Sequence, residues 1–317
     1  MVAAPLRVVF FGTPEFAVPT LDALLASSHT LVGVVCQPDR PRGRGHKTFA
    51  GPVKSRAVSA GVAVLQPARL RDEGFLHGLA ALGADLGVVA AYGRILTDAV
   101  LAIPRLGLIN VHASLLPHYR GAAPVHRAII AGDRDTGVTI MRVVKALDAG
   151  PMLATAHRPI GDSETSDTVE RDLARIGAPL LVETVDRLAA GAVIETPQDD
   201  SAATYAHRLT KEDSALDWNA PAAHVHNRVR GLHPWPHASS FLNGRRLILL
   251  RSSPSDEAAG APPGTILEAT PGDLVVAAGS GRVHLVEVQL EGKRPMTARE
   301  FLAGHRVSPG DRFAPTP

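Results

Sequence analysis

Asn110 and His112 stand two residues apart at the end of an apolar run, Leu108-Ile109-Asn110-Val111-His112. In an extended chain, alternate side chains project to one face, so the carboxamide and the imidazole point the same way. Delivered together, they can hold a carbonyl oxygen and the negative charge that develops on it when a nucleophile adds. Removing one good oxyanion donor typically costs about 2.7 to 4 kcal/mol in a catalytic barrier. The same two residues also suit a strand end that meets solvent. Asp148, in Leu147-Asp148-Ala149-Gly150, is the third candidate. It reads either as an Asx-turn closing on its own backbone or as a carboxylate beside the imidazole, favouring the imidazolium and relaying a proton. Ser114 has no paired base in sequence, and His112, His118 and His126 lack a metal-ligand pattern. Neither a nucleophilic serine nor a metal is therefore expected.

The elements that must carry these groups read as strand and helix in alternation. Leu6 to Phe11 is a strand ending at Gly12-Thr13-Pro14, Phe16 to Ala26 is helical, and Leu31 to Cys36 is a second buried strand. Strand, helix, strand in quick succession predicts a Rossmann-like, mostly parallel α/β sheet with helices on both faces. A helix around Val53 to Ala60, a short strand Val62 to Leu65 and a mixed segment to Leu82 follow, then a strand from Asp85 to Ala90. Beyond the Leu108 strand come a helix from Pro124 to Ala131, strands over Gly137 to Val144 and Met152 to Ile160, and a long helix to Gly191. Asp167 with Glu170 three residues on gives that last helix a capping pattern. In such domains ligands bind beyond the carboxyl ends of the parallel strands. The first turn carries one glycine rather than Gly-x-Gly-x-x-Gly, which disfavours an oxidoreductase built on a nicotinamide dinucleotide.

The expected organisation is a catalytic domain over 1–191, an extended polar linker over 192–209 and a C-terminal domain over 210–317. In the last part, short runs split by Gly and Pro (Leu247 to Leu250, Gly264 to Leu267, Leu274 to Ala277, Val283 to Val288) suggest a small OB-like β-barrel. Trp235, between two prolines, is expected in its core.

The 317 residues carry 33 Lys and Arg against 31 Asp and Glu, so nucleic-acid binding must rest on local patches. One such patch lies between Gln37 and Arg56, where Arg40, Arg42, Arg44, Lys47, Lys54 and Arg56 oppose only Asp39. Its glycines and prolines predict a mobile loop without regular structure, either simply solvated or turned to a polyanion. Lys211, Arg228, Arg230, Arg245, Arg246, Lys293 and Arg294 are candidate phosphate contacts in the C-terminal part. The single Cys36 suits a reducing compartment, and no apolar run reaches membrane-spanning length, so a cytoplasmic protein is expected. A monomer is the default expectation.

Asn110-Val111-His112 followed by Ser114-Leu115-Leu116-Pro117 resembles the signature of the formyltransferases that use 10-formyltetrahydrofolate. The resemblance extends over nearly the whole chain and includes Arg120-Gly121-Ala122-Ala123-Pro124, with Ala113 standing where related sequences carry glycine. It implies that Asn110, His112 and Asp148 are catalytic, and that Tyr92, Gly93, Arg94, Ile95 and Leu96 with Ser114, Leu115, Leu116 and Pro117 bind the folate donor. It is nearest to the branch of the family acting on methionine carried by initiator tRNA, where a loop at this point enters the acceptor stem. Gly43-Arg44-Gly45 matches the arginine of that loop. The tRNA contacts so implied are Arg40, Arg42, Arg44, Lys47, Lys211, Arg245 and Arg246, with 10-formyltetrahydrofolate as cosubstrate and no metal. A formyltransferase acting on a small amine, such as an amino-sugar nucleotide or glycinamide ribonucleotide, is the alternative. A catalytically silent RNA-binding adaptor is a third reading.

Overall fold

The computed structural model describes residues 4–42 and 47–314, with the backbone alone described at 40–42 and 47–49. Arg44 and its flanking glycines lie outside the described residues. Packing divides the chain into two compact units. The first comprises Met1–Pro124, Thr136–Arg158 and Glu170–Ala206, and the second Val125–Asp135, Pro159–Val169 and His207–Pro317.

The first unit is organised by strands β1 (Arg7–Gly12), β2 (Thr30–Val35), β3 (Val64–Leu65), β4 (Leu86–Ala90), β5 (Leu108–His112), β6 (Asp135–Arg142) and β7 (Met152–Pro159). They form one sheet in the order β7-β6-β5-β4-β1-β2-β3. β1 pairs parallel with both β2 and β4, and β4 parallel with β5, as the sequence predicts. The near-continuous apolar runs of β1 and β4 are buried along their length, which requires cover on both faces. β6 runs antiparallel to β5, placing Thr139 beside His112.

After β1 the chain moves to one side through β2 and β3, and after β4 to the other. The β1–β4 boundary is thus the switch point where a crevice opens beyond the carboxyl ends. Gln37 spans it, donating from Nε2 to the Tyr92 carbonyl at 2.8 Å. The mixed segment before Leu82 contains a helix, Glu73–Ala81, capped by Asp72 accepting from the Phe75 amide. It buries only Phe75 and Leu79, and its two interior glycines blur even that stripe. The long helix spans Ser166–Ala189, so Asp167 lies in its first turn and accepts from the Thr165 hydroxyl at 2.5 Å instead of capping from outside.

One further expectation is corrected. The basic stretch is not devoid of regular structure, because Arg40–Arg42 and Lys47–Phe49 pair antiparallel. Lys54 pairs with Asp39, the acid of the stretch itself, and Arg56 with Asp22 outside it, each at 2.5 Å. Within the 192–209 stretch, Tyr205–Ala206 pairs parallel with Arg120–Gly121.

In the second unit, an antiparallel sheet includes Ala238–Leu242, Arg245–Ser255, Ile266–Thr270, Asp273–Ala277 and Arg282–Leu290. Register shifts near Arg251 let the longest strand bend, and the sheet curls in a manner consistent with a small barrel. Trp235 is 48% exposed and is no core residue. The buried tryptophan is Trp218, packed on Phe313 with ring centroids 5.2 Å apart. Trp235 escapes burial because its Pro-flanked loop cannot continue the helix Ala222–Gly231 before it or pair within the strand after it.

Candidate active site

β5 delivers Asn110 and His112 to one side of the sheet, two residues apart. Asn110 is partly exposed, and His112 is buried to 5%. The imidazole is held from one side only. Nε2 donates to the Tyr119 carbonyl at 3.0 Å; a carbonyl only accepts, so that nitrogen carries the proton. Nδ1 faces the Asp148 carboxylate at 3.8 Å, too far for a direct hydrogen bond and close enough for charge to matter.

Asp148 does not close an Asx-turn on its own backbone. Its Oδ2 accepts from the Gly121 amide at 2.8 Å, across 27 residues of sequence. Asp148 itself adopts a left-handed backbone, φ +47°. Gly121 has φ +125°, and a Cβ there would stand 2.7 Å from the Ala206 carbonyl oxygen, so only glycine lets the two segments approach.

The loop after β5 is braced from within. Ser114 donates to the His118 carbonyl at 2.6 Å, and Thr139 on β6 donates to the Ser114 carbonyl at 2.7 Å. The same threonine accepts from the Leu116 amide at 3.1 Å. Tyr119, with φ +61°, is fixed by its amide donating to the Thr204 hydroxyl at 2.8 Å. Arg120, 4% exposed, donates to Gln198 and to Asp200.

The 92–96 loop lies at the switch point. Tyr92 is buried, with burial pushing its phenol up to about 12 and its ring edge-on to Phe11. Gly93 takes φ +78°, Arg94 donates to the carbonyls of Pro67 and Ala68, Ile95 is 80% exposed and Leu96 is buried. Asp98 beyond it pairs with Lys145 at 3.5 Å, which brings this loop to the turn that carries Asp148.

The basic residues divide into those left on the surface and those absorbed by the fold. Lys211 and Arg245 are exposed. Arg246 bonds Glu291, Ser239 and Ser214. Arg230 is buried against Asn227, Gly161 and Glu164, and Arg228 donates to the Asp213 and Ala215 carbonyls, so neither is placed for phosphate. Sequence reasoning missed Gln198 and Thr204. Both lie in a polar stretch without periodicity, and nothing in their residue types announces a partner.

Residues 6–185 match the formyl transferase family, and residues 208–306 match the formyl transferase C-terminal domain. The chain is 48% identical over 303 residues to the methionyl-tRNA formyltransferase of Methylococcus capsulatus, covering 96% of this chain and 98% of that protein. It is also 48% identical over 311 residues to the methionyl-tRNA formyltransferase of Stutzerimonas stutzeri, covering 98% and 97%. Among solved structures, the sugar 3N-formyl transferase WlaRD, crystallised in the presence of dTDP and 5-N-formyl-THF, is 14% identical. It superposes with a TM-score of 0.69 over 92% of this chain and 100% of that one.

Proposed function

The chain belongs to the formyl transferase family, and we infer that it carries the formyl group of 10-formyltetrahydrofolate to the α-amino group of methionine on initiator tRNA. Relatives alike over nearly the full length are named for methionyl-tRNA. The sugar 3N-formyl transferase WlaRD is a fold neighbour at 14% identity, which speaks for the fold alone. The observation that carries the chemistry is the Asp148 carboxylate facing Nδ1 of His112 at 3.8 Å, with Nε2 already committed to a carbonyl.

An unperturbed α-amino group titrates at about 7.7 to 8.0, so a substantial share is neutral near neutrality and deprotonation is a small obstacle. Stabilising the oxyanion is the larger one. Because the Tyr119 carbonyl accepts the hydrogen bond from Nε2, Nδ1 is the nitrogen left for the reaction. It donates to the developing oxyanion when the ring carries both protons, and Asp148 supplies the counter-charge. Asn110 supplies a second donor from the same face of β5. The methionine nitrogen adds to the formyl carbon as the carbonyl pair moves onto oxygen; collapse of that oxyanion restores the carbonyl and breaks the bond from carbon to the folate nitrogen. With both ring nitrogens protonated, the Asp148 carboxylate accepts the amine's proton, which ends on the departing nitrogen.

Tyr92 to Leu96 and Ser114 to Pro117 would hold the folate. A left-handed glycine beside an exposed isoleucine at the switch point suits a flat heterocycle laid against backbone. Lys211 and Arg245, with Arg40, Arg42, Arg44 and Lys47 of the basic stretch, would neutralise acceptor-stem phosphates, while Arg246 acts from its bonded position.

Formyl transfer measured side by side on methionyl initiator tRNA, methionyl elongator tRNA and a small amine tests the reading. Transfer confined to the initiator is expected, with affinity falling steeply as salt rises. Transfer to the small amine at an equal rate overturns the choice of acceptor, and salt-independent turnover overturns the phosphate contacts.

A further inference from the structure

Gln198 lies in the polar stretch after the long helix, and the chemistry above makes no use of it. Its side-chain amide is nonetheless fully engaged. Nε2 donates to the carbonyl oxygens of Asp148 and Gly150, both at 2.8 Å. Oε1 accepts from Arg120 Nε at 3.0 Å and from its Nη2 at 2.8 Å. The orientation follows from the partners, since a guanidinium only donates and a backbone carbonyl only accepts. Both amide hydrogens and both oxygen lone pairs are therefore spent.

What Gln198 grips is the turn that aims Asp148. A non-glycine residue in a left-handed conformation costs about 1 to 3 kcal/mol and persists only when its surroundings over-determine it. Asp148, at φ +47°, is such a residue, and the paired bonds to carbonyls 148 and 150 supply that determination. Arg120, buried to 4% and anchored also to Asp200 at 2.7 Å, holds the other end of the amide. Gly121, next to Arg120 in sequence, gives Asp148 its amide hydrogen. Carboxylate and backbone of Asp148 are thus fixed from the same two neighbouring segments.

We propose that Gln198 is a positioning residue for formyl transfer, locking the 148–150 turn so that the Asp148 carboxylate stays against Nδ1 of His112. The proposal rests on the reading of Asp148 as a member of the reacting set. Because the Gln198 amide is fully used within the protein, its loss should alter turnover and leave substrate binding alone.

Gln198→Glu is the informative change. It keeps the length and gains an ion pair to Arg120, which protects folding, while presenting acceptor oxygens where two donors stood. A displacement of the reacting groups by about 1 Å can cost 10²-fold, so kcat should fall by about 10- to 100-fold with KM for either substrate moved less than about twofold. The thermal midpoint should stay close to that of the parent. The same change introduced into Asp148→Asn should cost less than about twofold further, because a residue acting through Asp148 has nothing left to position. If Asp148→Asn is impaired but Gln198→Glu turns over normally, or loses as much in both backgrounds, the positioning role is overturned and the reading of Asp148 stands. An Asp148→Asn enzyme as active as the parent overturns both.

Discussion

Two histidines are buried to nearly the same extent, His112 at 5% in the first unit and His226 at 7% in the second. His226 spends both ring nitrogens. Nε2 donates to the Asp162 carbonyl at 2.8 Å, and Nδ1 accepts from the Ser252 hydroxyl at 3.0 Å. His112 spends one, and its Nδ1 looks at a carboxylate 3.8 Å away. The surroundings differ in the same sense. His226 sits within the regular helix Ala222–Gly231, whereas His112 is ringed by left-handed residues at Tyr119 and Asp148. Burial of a titratable ring therefore says little until its nitrogens are counted. The saturated ring is a brace, and the half-satisfied ring beside a charge can do work.

Exchanging each ring for a methyl group tests that contrast most severely. General acid–base groups contribute about 10²- to 10⁴-fold, so His112→Ala should lower kcat on that scale with initiator-tRNA binding in a filter assay nearly unchanged, and should lose less stability than His226→Ala because only the Tyr119 carbonyl is left unpaired. His226→Ala should do the reverse, leaving two buried polar partners unpaired and costing about 1 to 3 kcal/mol of stability. A His226→Ala enzyme that folds as stably as the parent but turns over slowly would erase the distinction.

Backbone strain offers the next comparison. Gly121 has φ +125° with a Cβ position 2.7 Å from the Ala206 carbonyl oxygen, and Gly281 has φ +80° with one 2.4 Å from the Ser255 carbonyl oxygen. Alanine at either should cost about 1 to 3 kcal/mol, readable in a urea titration. Only Gly121→Ala should also lower kcat under conditions where both variants remain folded, because Gly121 donates its amide to Asp148. Equal loss of kcat in the two would show that turnover follows stability alone.

How much of this the residues announced depends on the range of the interaction. β5 is legible because its apolar residues are consecutive and its polar pair shares a period of two. The parallel pairing around β1 follows from the short strand–helix–strand alternation. The Asp148 turn is not legible without help from resemblance, since Asp before Ala-Gly suits a local turn equally well, and its real partner is the Gly121 amide. Gln198 is further out of reach, because four well-formed bonds converge on a residue from a stretch with no pattern. The basic stretch misleads through composition: glycine and proline argue against strands, yet three residues on each side suffice to pair. Trp235 misleads through its neighbours. Trp218 is buried with its Nε1 donating to Ser240 at 3.0 Å, a polar end satisfied inside the core, while Trp235 lies outside.

The smallest expected effect concerns how the braced histidine responds to acid. Burial holds the His226 pKa below its ordinary 6.5, with the hydrogen bond at Asp162 only partly offsetting it. The unfolded chain then binds the proton more readily than the folded one, so the stability supplied by the neutral ring is present above about pH 6.5 and is lost as pH falls below it. His237 is shifted the same way, by burial and by the neighbouring His233, and adds to the slope. Thermal midpoints taken between about pH 7.5 and about pH 5.5 should therefore decline in the parent. They should decline less in His226→Gln, and least when His237→Gln is added. Ser252→Ala removes one hydrogen bond to Nδ1 and should lower the midpoint by the equivalent of about 1 kcal/mol without touching turnover. If His226→Gln retains the full acid slope, the ring already accepts a proton in the folded state, and Asp162 and Ser252 do not hold it neutral.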